Sequence, residues 1–186
     1  LKNNTLSKHN FNIHETARFF NDKLSVDVNA MFIKQRLNNS PNLGLLSPIL
    51  YVYGFRRGLD FDQYKDPVVY DPVRKLYQQN WFAPSGSGAA MNPFWLAKYN
   101  QYLRDRNRIL LKIAVKYNIT ESLSFQLRGN TDRMSDENTS KWHVGGPVVR
   151  TGPNGQYGIS YVNTTQYYGD AILNFNKNFG KIQMNA

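Results

Sequence analysis

The stretch LSVDVNAMFIKQR, residues 24–36, alternates between apolar and polar side chains. Every second position is apolar, with polar residues between: Leu24, Val26, Val28, Ala30 and Phe32 against Ser25, Asp27 and Asn29. Because successive side chains of a β-strand point to opposite faces, this spacing predicts a strand with one apolar face and one polar face. The fold therefore depends on what covers the apolar face, which is either a second sheet or lipid.

The same alternation recurs along the chain and predicts an all-β, antiparallel protein. Strands are expected at six places, which are 9–20, 24–36, 108–117, 123–130, 165–176 and 181–186. No stretch sustains a helical period, although residues 92–107 have room for a short helix.

The connections between the predicted strands alternate strictly in length. Short links join 20 to 24, 117 to 123 and 176 to 181, whereas long loops are expected over 37–107 and 131–164. Outer-membrane barrels have short periplasmic turns and long extracellular loops, and their tilted strands cross the bilayer in about nine to eleven residues. The pattern favours lipid against the apolar face, in a transmembrane β-barrel. The rest of that barrel must lie outside these six strands, because an open sheet edge cannot sit in lipid.

Composition narrows the class of protein. The chain has 23 basic and 13 acidic residues, a formal net charge of +10, and 14% aromatic residues. A cationic excess suits nucleic acid, anionic lipid or an acidic substrate. The basic residues do not interleave with aromatic ones as a nucleic-acid stacking platform requires, so no nucleic-acid partner is expected. The chain has no cysteine, which excludes disulfides and thiolate metal sites.

A membrane-spanning helix is not expected either. The longest uncharged run, residues 37–55, contains prolines and asparagines that disfavour such a helix. Both ends of the chain look like cuts within a longer protein, because the last residues resemble the middle of a strand.

An ordered series of short motifs covers nearly the whole chain. They are LYVYGFRRG (50–58), LDFDQYKD (59–66), QQNW (78–81), NPFW (92–95), RNRILLKIAVKYNITESLSFQLRG (106–129) and YGDAILNFNKNFGKI (168–182). In this order they resemble the barrel of SusC-like (RagA-like) TonB-dependent transporters, the large outer-membrane nutrient importers. Arg56 stands where that family often has proline, and Phe94 where it often has tyrosine.

The resemblance implies about six strands of a plugged barrel of about 22 strands, in the outer membrane of a Gram-negative cell. The plug, the TonB-contacting segment and the closing strand of the family are not in this sequence. The implied partners are the rest of the barrel with its plug, the TonB complex, lipopolysaccharide and other membrane lipid, and a SusD-like surface lipoprotein. The implied function is uptake of glycan fragments or peptides, driven through TonB.

The first long loop is the candidate substrate-contacting region, because thirteen aromatic residues lie between Tyr51 and Tyr102. Aromatic rings stack on sugars and peptide side chains, and long rim loops usually carry function. The residues predicted to contact substrate are Tyr51, Phe55, Arg57, Trp81, Trp95 and Lys112. Lys112 is expected on the lumen face. The alternative is that the rings pack the loop against itself or form an interfacial aromatic girdle.

Catalytic and metal-binding patterns are weak. No nucleophile, base and orienting acid can be assembled, so the sequence does not predict an enzyme or a cofactor. His9, His14 and His143 lack metal-ligand spacing, and the oxygen ligands of 131–140 lack the EF-hand spacing for calcium.

Other predictions stay open. The arginines at 104, 106 and 108 are candidates for binding lipopolysaccharide phosphates. Two functions remain as alternatives to an importer: a soluble carbohydrate-binding β-sandwich that uses the aromatic residues as its platform, and a passive outer-membrane porin.

Overall fold

The computed structural model describes residues 4–40, 47–82, 90–179 and 182–185 and is mostly antiparallel β-structure. Six strands form the main sheet: β1 (Thr5–Phe19), β2 (Leu24–Asn38), β5 (Gln101–Asn118), β6 (Leu123–Trp142), β7 (Gln156–Phe179) and β8 (Ile182–Asn185). Their order across the sheet is β1-β2-β5-β6-β7-β8, so the strands pair in chain order, with β3 and β4 left out between β2 and β5. The described strands form an open sheet, with β1 and β8 at its edges, and not a closed barrel.

All six predicted strands are present, but β5, β6 and β7 extend well beyond the predicted bounds. The predicted 131–164 loop is wrong over most of its length, because the connection from β6 to β7 covers only residues 143–155. The extensions of β5 and β6 lack apolar alternation, and polar side chains pair across them, whereas the extension of β7 does alternate, with Tyr157, Ile159 and Tyr161 at every second position. Between β5 and β6, for example, the Arg104 side chain donates a hydrogen bond to Oδ1 of Asn138 at 2.8 Å.

The long connection from β2 to β5 has secondary structure of its own. It contains α1 (Pro48–Tyr53), a 3₁₀ turn (Phe61–Tyr64), β3 (Val68–Asp71), β4 (Leu76–Gln79) and α2 (Pro93–Tyr99). The short helix expected within 92–107 is confirmed as α2, whereas the antiparallel β3–β4 hairpin was not predicted. The shorter connection from β6 to β7 contains α3 (Val148–Thr151).

The chain divides into two compact units. Unit 1 comprises Leu1–Ser7, Gln35–Asp105 and Glu137–Tyr161, and unit 2 comprises Lys8–Lys34, Arg106–Asp136 and Val162–Ala186. Every buried hydrophobic residue of the described structure belongs to unit 1: Tyr51, Trp81, Met91, Trp95, Leu96 and Trp142. Unit 1 therefore has a core of its own, and the described residues of unit 2 form none.

Asn92, the first residue of the NPFW motif, ties the segments of unit 1 together. It is fully buried, and its Nδ2 donates to the backbone carbonyls of Tyr64 (2.8 Å) and Asn80 (2.7 Å). Its Oδ1 accepts from the backbone N–H groups of Phe94 (2.8 Å) and Trp95 (3.3 Å), which caps the start of α2. Pro93 follows at the first helical position, where a missing N–H costs nothing.

The segment after β6 approaches the β3–β4 hairpin closely at Gly145. The backbone N–H of Gln79 donates to the Gly145 carbonyl at 2.9 Å. Gly145 has a φ of +104°, and a Cβ placed there would lie 2.4 Å from the Tyr77 carbonyl oxygen. Only glycine fits this contact, because other residues would be strained and would clash.

We expect Asn92→Ala to destabilise unit 1 by about 3 kcal/mol, because the replacement leaves buried backbone groups without partners. All three tryptophans of the chain lie in unit 1, so tryptophan fluorescence during urea unfolding reports on this unit. Asn154→Ala removes an exposed asparagine of the same unit and should leave the midpoint unchanged. Equal midpoints for the two variants would show that the Asn92 hydrogen bonds do not hold unit 1 together.

Candidate functional site

One face of the sheet in unit 2 is apolar and exposed. Phe11 of β1 and Phe32 of β2 share this face, with ring centroids 6.5 Å apart. Ile109 on β5 is 43% exposed and Leu173 on β7 is 60% exposed. The described helices and the β3–β4 hairpin all belong to unit 1, so the described part of unit 2 contains no second layer. This face needs a cover that the described part of unit 2 does not supply.

The opposite face of unit 2 carries ion pairs between neighbouring strands. Arg106 binds Asp136 through two 2.7 Å hydrogen bonds, and Arg108 binds Asp132 in the same bidentate way. A further ion pair joins Arg128 to Asp170, with a 2.9 Å bond from Nε, and the His14 ring contacts the Asp27 carboxylate at 2.7 Å. Bidentate pairs fix the geometry of both side chains. The prediction of strands with one apolar and one polar face is confirmed.

These pairs bear on two earlier expectations. The arginines at 104, 106 and 108, expected to bind lipopolysaccharide phosphates, all donate to side chains of β6. Asp132 and Asp136, considered as calcium ligands, each hold an arginine. Among the residues that the structure describes, no group of acidic or histidine side chains could hold a metal ion.

Lys112 lies on this polar face, as predicted, and its side chain is exposed. It lines a shallow depression of unit 2 together with Asp27, Arg128 and Tyr168. The carboxylate of Asp27 accepts from Thr16 at 2.8 Å as well as contacting His14, and Arg128 is held by Asp170. Among the described residues that line this depression, Lys112 thus remains the cation that can meet a carboxylate from outside the sheet.

The other five predicted substrate residues belong to unit 1. Tyr51 and Trp81 are buried, Trp95 is fully buried, Phe55 is half-buried and Arg57 is exposed. The Phe55 ring lies within 6 Å, centroid to centroid, of four others: Phe61, Tyr64, Trp81 and Phe82. The rings of Tyr51, Trp81 and Trp95 contact protein in this arrangement, which favours the packing alternative for them. Arg57 and Lys112 keep the exposure that ligand contact needs.

A second concave surface, not predicted from the sequence, lies in unit 1. It encloses about 640 Å³ where β2 ends, β5 begins, β6 ends and β7 begins. Its wall includes Asn38, Asn100, His143 and Tyr157. These residues come from four separate segments, so no local spacing could have pointed to them.

Comparison with known proteins assigns no family. No family model matches the sequence, and no curated protein sequence matches it. In the described ranges, no helix has the length and apolar character needed to cross a membrane. The faces of the sheet and the ordered motifs are therefore the grounds for a functional proposal.

We predict that Tyr51 makes unit 1 sensitive to alkali. Burial raises the pKa of the Tyr51 hydroxyl, and the positive charge of Arg150 offsets part of the rise. The unfolded chain therefore loses this proton first, and the stability contributed below pH about 10 is lost as the pH rises further. In Tyr51→Phe there is no proton to lose, so tryptophan fluorescence should report alkaline unfolding at a higher pH than in the unmodified protein.

Tyr53→Phe is the control, because Tyr53 lies in the same helix and is 85% exposed. Its alkaline unfolding curve should overlay that of the unmodified protein. If Tyr51→Phe also overlays it, ionisation of Tyr51 does not limit the stability of unit 1.

Proposed function

We propose that this chain forms part of the barrel wall of a SusC-like, TonB-dependent outer-membrane importer that takes up glycan fragments or peptides together with a SusD-like lipoprotein. The observation that carries the proposal is the exposed apolar face of unit 2, which has no second layer among the described residues of that unit. Each large apolar side chain left in water forgoes roughly 1.5–3 kcal/mol of burial free energy. Lipid hydrocarbon is the cover that suits a broad, two-faced antiparallel sheet.

The polar face supports the same orientation. An arginine or lysine facing the middle of the bilayer costs roughly 2–4 kcal/mol, so Arg106, Arg108 and Arg128 must face water. They are paired across neighbouring strands with Asp136, Asp132 and Asp170. A wet, ion-paired face opposite a dry apolar one is the arrangement expected of a barrel wall around an aqueous lumen.

The open edges of the sheet add a requirement. β1 lies at one edge and offers backbone N–H and C=O groups that β2 does not pair. Unsatisfied backbone groups cost several kcal/mol each in hydrocarbon, so a lipid-facing sheet must be continued by further strands. The proposal therefore assigns the neighbours of β1 and β8 to other parts of the same barrel.

The alternatives receive less support. A soluble carbohydrate-binding sandwich needs a second large sheet over the apolar face, and the other described sheet is the two-stranded hairpin of unit 1. A passive porin would have the same lipid-facing wall. The ordered motif series, which resembles importers and not porins, favours active uptake.

Cysteine scanning tests the lipid contact, because the chain has no cysteine of its own. Leu173→Cys and Asn174→Cys place a thiol at adjacent positions of β7, on opposite faces. The full-length protein is reconstituted in lipid vesicles and treated with a water-soluble maleimide. The reagent should label Leu173→Cys at least about tenfold more slowly than Asn174→Cys, because hydrocarbon covers position 173. Ile113→Cys and Lys112→Cys on β5 form a second pair with the same expectation. Equal labelling rates at adjacent positions would contradict a bilayer contact.

Uptake measurements separate the importer from the porin. Cells that produce the full-length protein should accumulate labelled oligosaccharides or peptides, and an uncoupler that collapses the proton gradient should reduce this accumulation to background. Cells lacking the protein give the background. Entry that continues unchanged in the presence of the uncoupler would favour the porin.

A further inference from the structure

We infer that unit 1 carries a binding site for an acidic saccharide, in the 640 Å³ depression at the ends of β2, β5, β6 and β7. The depression lies wholly within unit 1. The inference goes beyond the transport proposal and does not depend on the lipid contact of unit 2.

Two amide groups in the wall of the depression have hydrogen-bonding atoms without partners. Asn100 is 4% exposed, and its Oδ1 accepts from the backbone N–H of His143 at 3.4 Å. Among the described residues, Nδ2 of Asn100 has no acceptor and Oδ1 of Asn38 has no donor, although both atoms are buried. Buried polar atoms are nearly always paired, so each such exception requires an explanation. The two atoms lie beneath the surface of the depression, so a sugar hydroxyl, which both donates and accepts, reaches them only when the Asn38 and Asn100 side chains turn toward it.

Aromatic rings border the same depression. Tyr157 is 64% exposed, and Tyr99 and Trp142 also line the wall. The Tyr99 ring is fixed from behind by Trp95, with centroids 4.2 Å apart. Rings held in this way offer apolar surface to the C–H face of a sugar, and the tyrosine hydroxyls can bond to its substituents.

The charge of the depression selects the kind of saccharide. Lys98 and Lys141 line it and are exposed, and no carboxylate is among its described lining residues. The His143 ring also lines the depression, with Nδ1 in contact with the Val144 carbonyl oxygen. Two cations without an anion favour a sugar that carries a carboxylate or phosphate. A peptide amino group would find no carboxylate here.

Two kinds of ligand carry an acidic saccharide that could bind in this depression: a free acidic oligosaccharide and a membrane glycolipid. Short oligogalacturonides represent the first source and purified lipopolysaccharide the second. Each is titrated calorimetrically into the full-length protein in detergent. A neutral galactan fragment of matching length tests the charge preference, and it should bind more weakly than the oligogalacturonide.

Tyr157→Ala should weaken binding of the acidic ligand roughly fivefold, because it removes an exposed ring of the wall. Tyr161→Ala is the matched control: it lies on the same strand, is 65% exposed and does not line the depression. Its affinity should be unchanged. Lys141→Gln should bring the affinity for the oligogalacturonide close to that for the neutral fragment.

The outcome also identifies the source. Binding of oligogalacturonide that Tyr157→Ala weakens assigns the site to a free sugar, and the same response with lipopolysaccharide assigns it to a glycolipid. The inference is overturned if neither ligand binds, if the neutral fragment binds as tightly as the acidic one, or if the two tyrosine variants behave alike. Because binding is measured apart from membrane labelling, its failure is distinct from a failure of the importer proposal.

Discussion

The need to cover one apolar sheet face is the constraint on which the rest of this structure depends. In unit 2 the side chains of Phe11, Ile109 and Leu173 project from a sheet that has no second layer among its described residues. The opposite face of the sheet cannot be covered by a protein core instead, because it carries ion pairs such as Arg108 with Asp132. Moving these charges out of water costs more free energy than their mutual attraction returns. The proposed barrel wall, with water on one side and hydrocarbon on the other, satisfies both faces.

Unit 1 meets a different constraint: the connection of some sixty residues between β2 and β5 has to keep a definite structure. Long connections without secondary structure are uncommon in compact domains. Here the aromatic residues supply a small core, and Asn92 fixes three backbone segments around it. The abundance of rings in this connection thus has a structural cause that does not require a ligand.

Strand positions could be predicted from the sequence because alternation is strong where one face is apolar, as at Leu24–Phe32. The extensions of β5 and β6 could not, because residues such as Arg104 and Asn138 pair through polar groups that leave no apolar period. Of the predicted contact residues, Lys112 was placed on the correct face by its spacing alone. Packing of the rings against one another was the alternative that the sequence left open, but which rings are buried could not be read from it, because burial depends on contacts between distant segments such as Phe55 and Trp81. The depression at Asn100 was missed for the same reason.

A separate core also explains how unit 1 can keep unpaired polar atoms beneath its surface. The free energy lost by leaving Nδ2 of Asn100 without an acceptor, about 1–3 kcal/mol, is tolerable only where other contacts hold the backbone in place. Those contacts exist on both sides of Asn100: α2 precedes it, with Trp95 fully buried, and β5 follows it, with Tyr102 packed edge-on against Trp142. Residues held in place without satisfying their own hydrogen bonds are typical of binding sites, because the fold elsewhere offsets the cost of keeping the site prepared for a ligand.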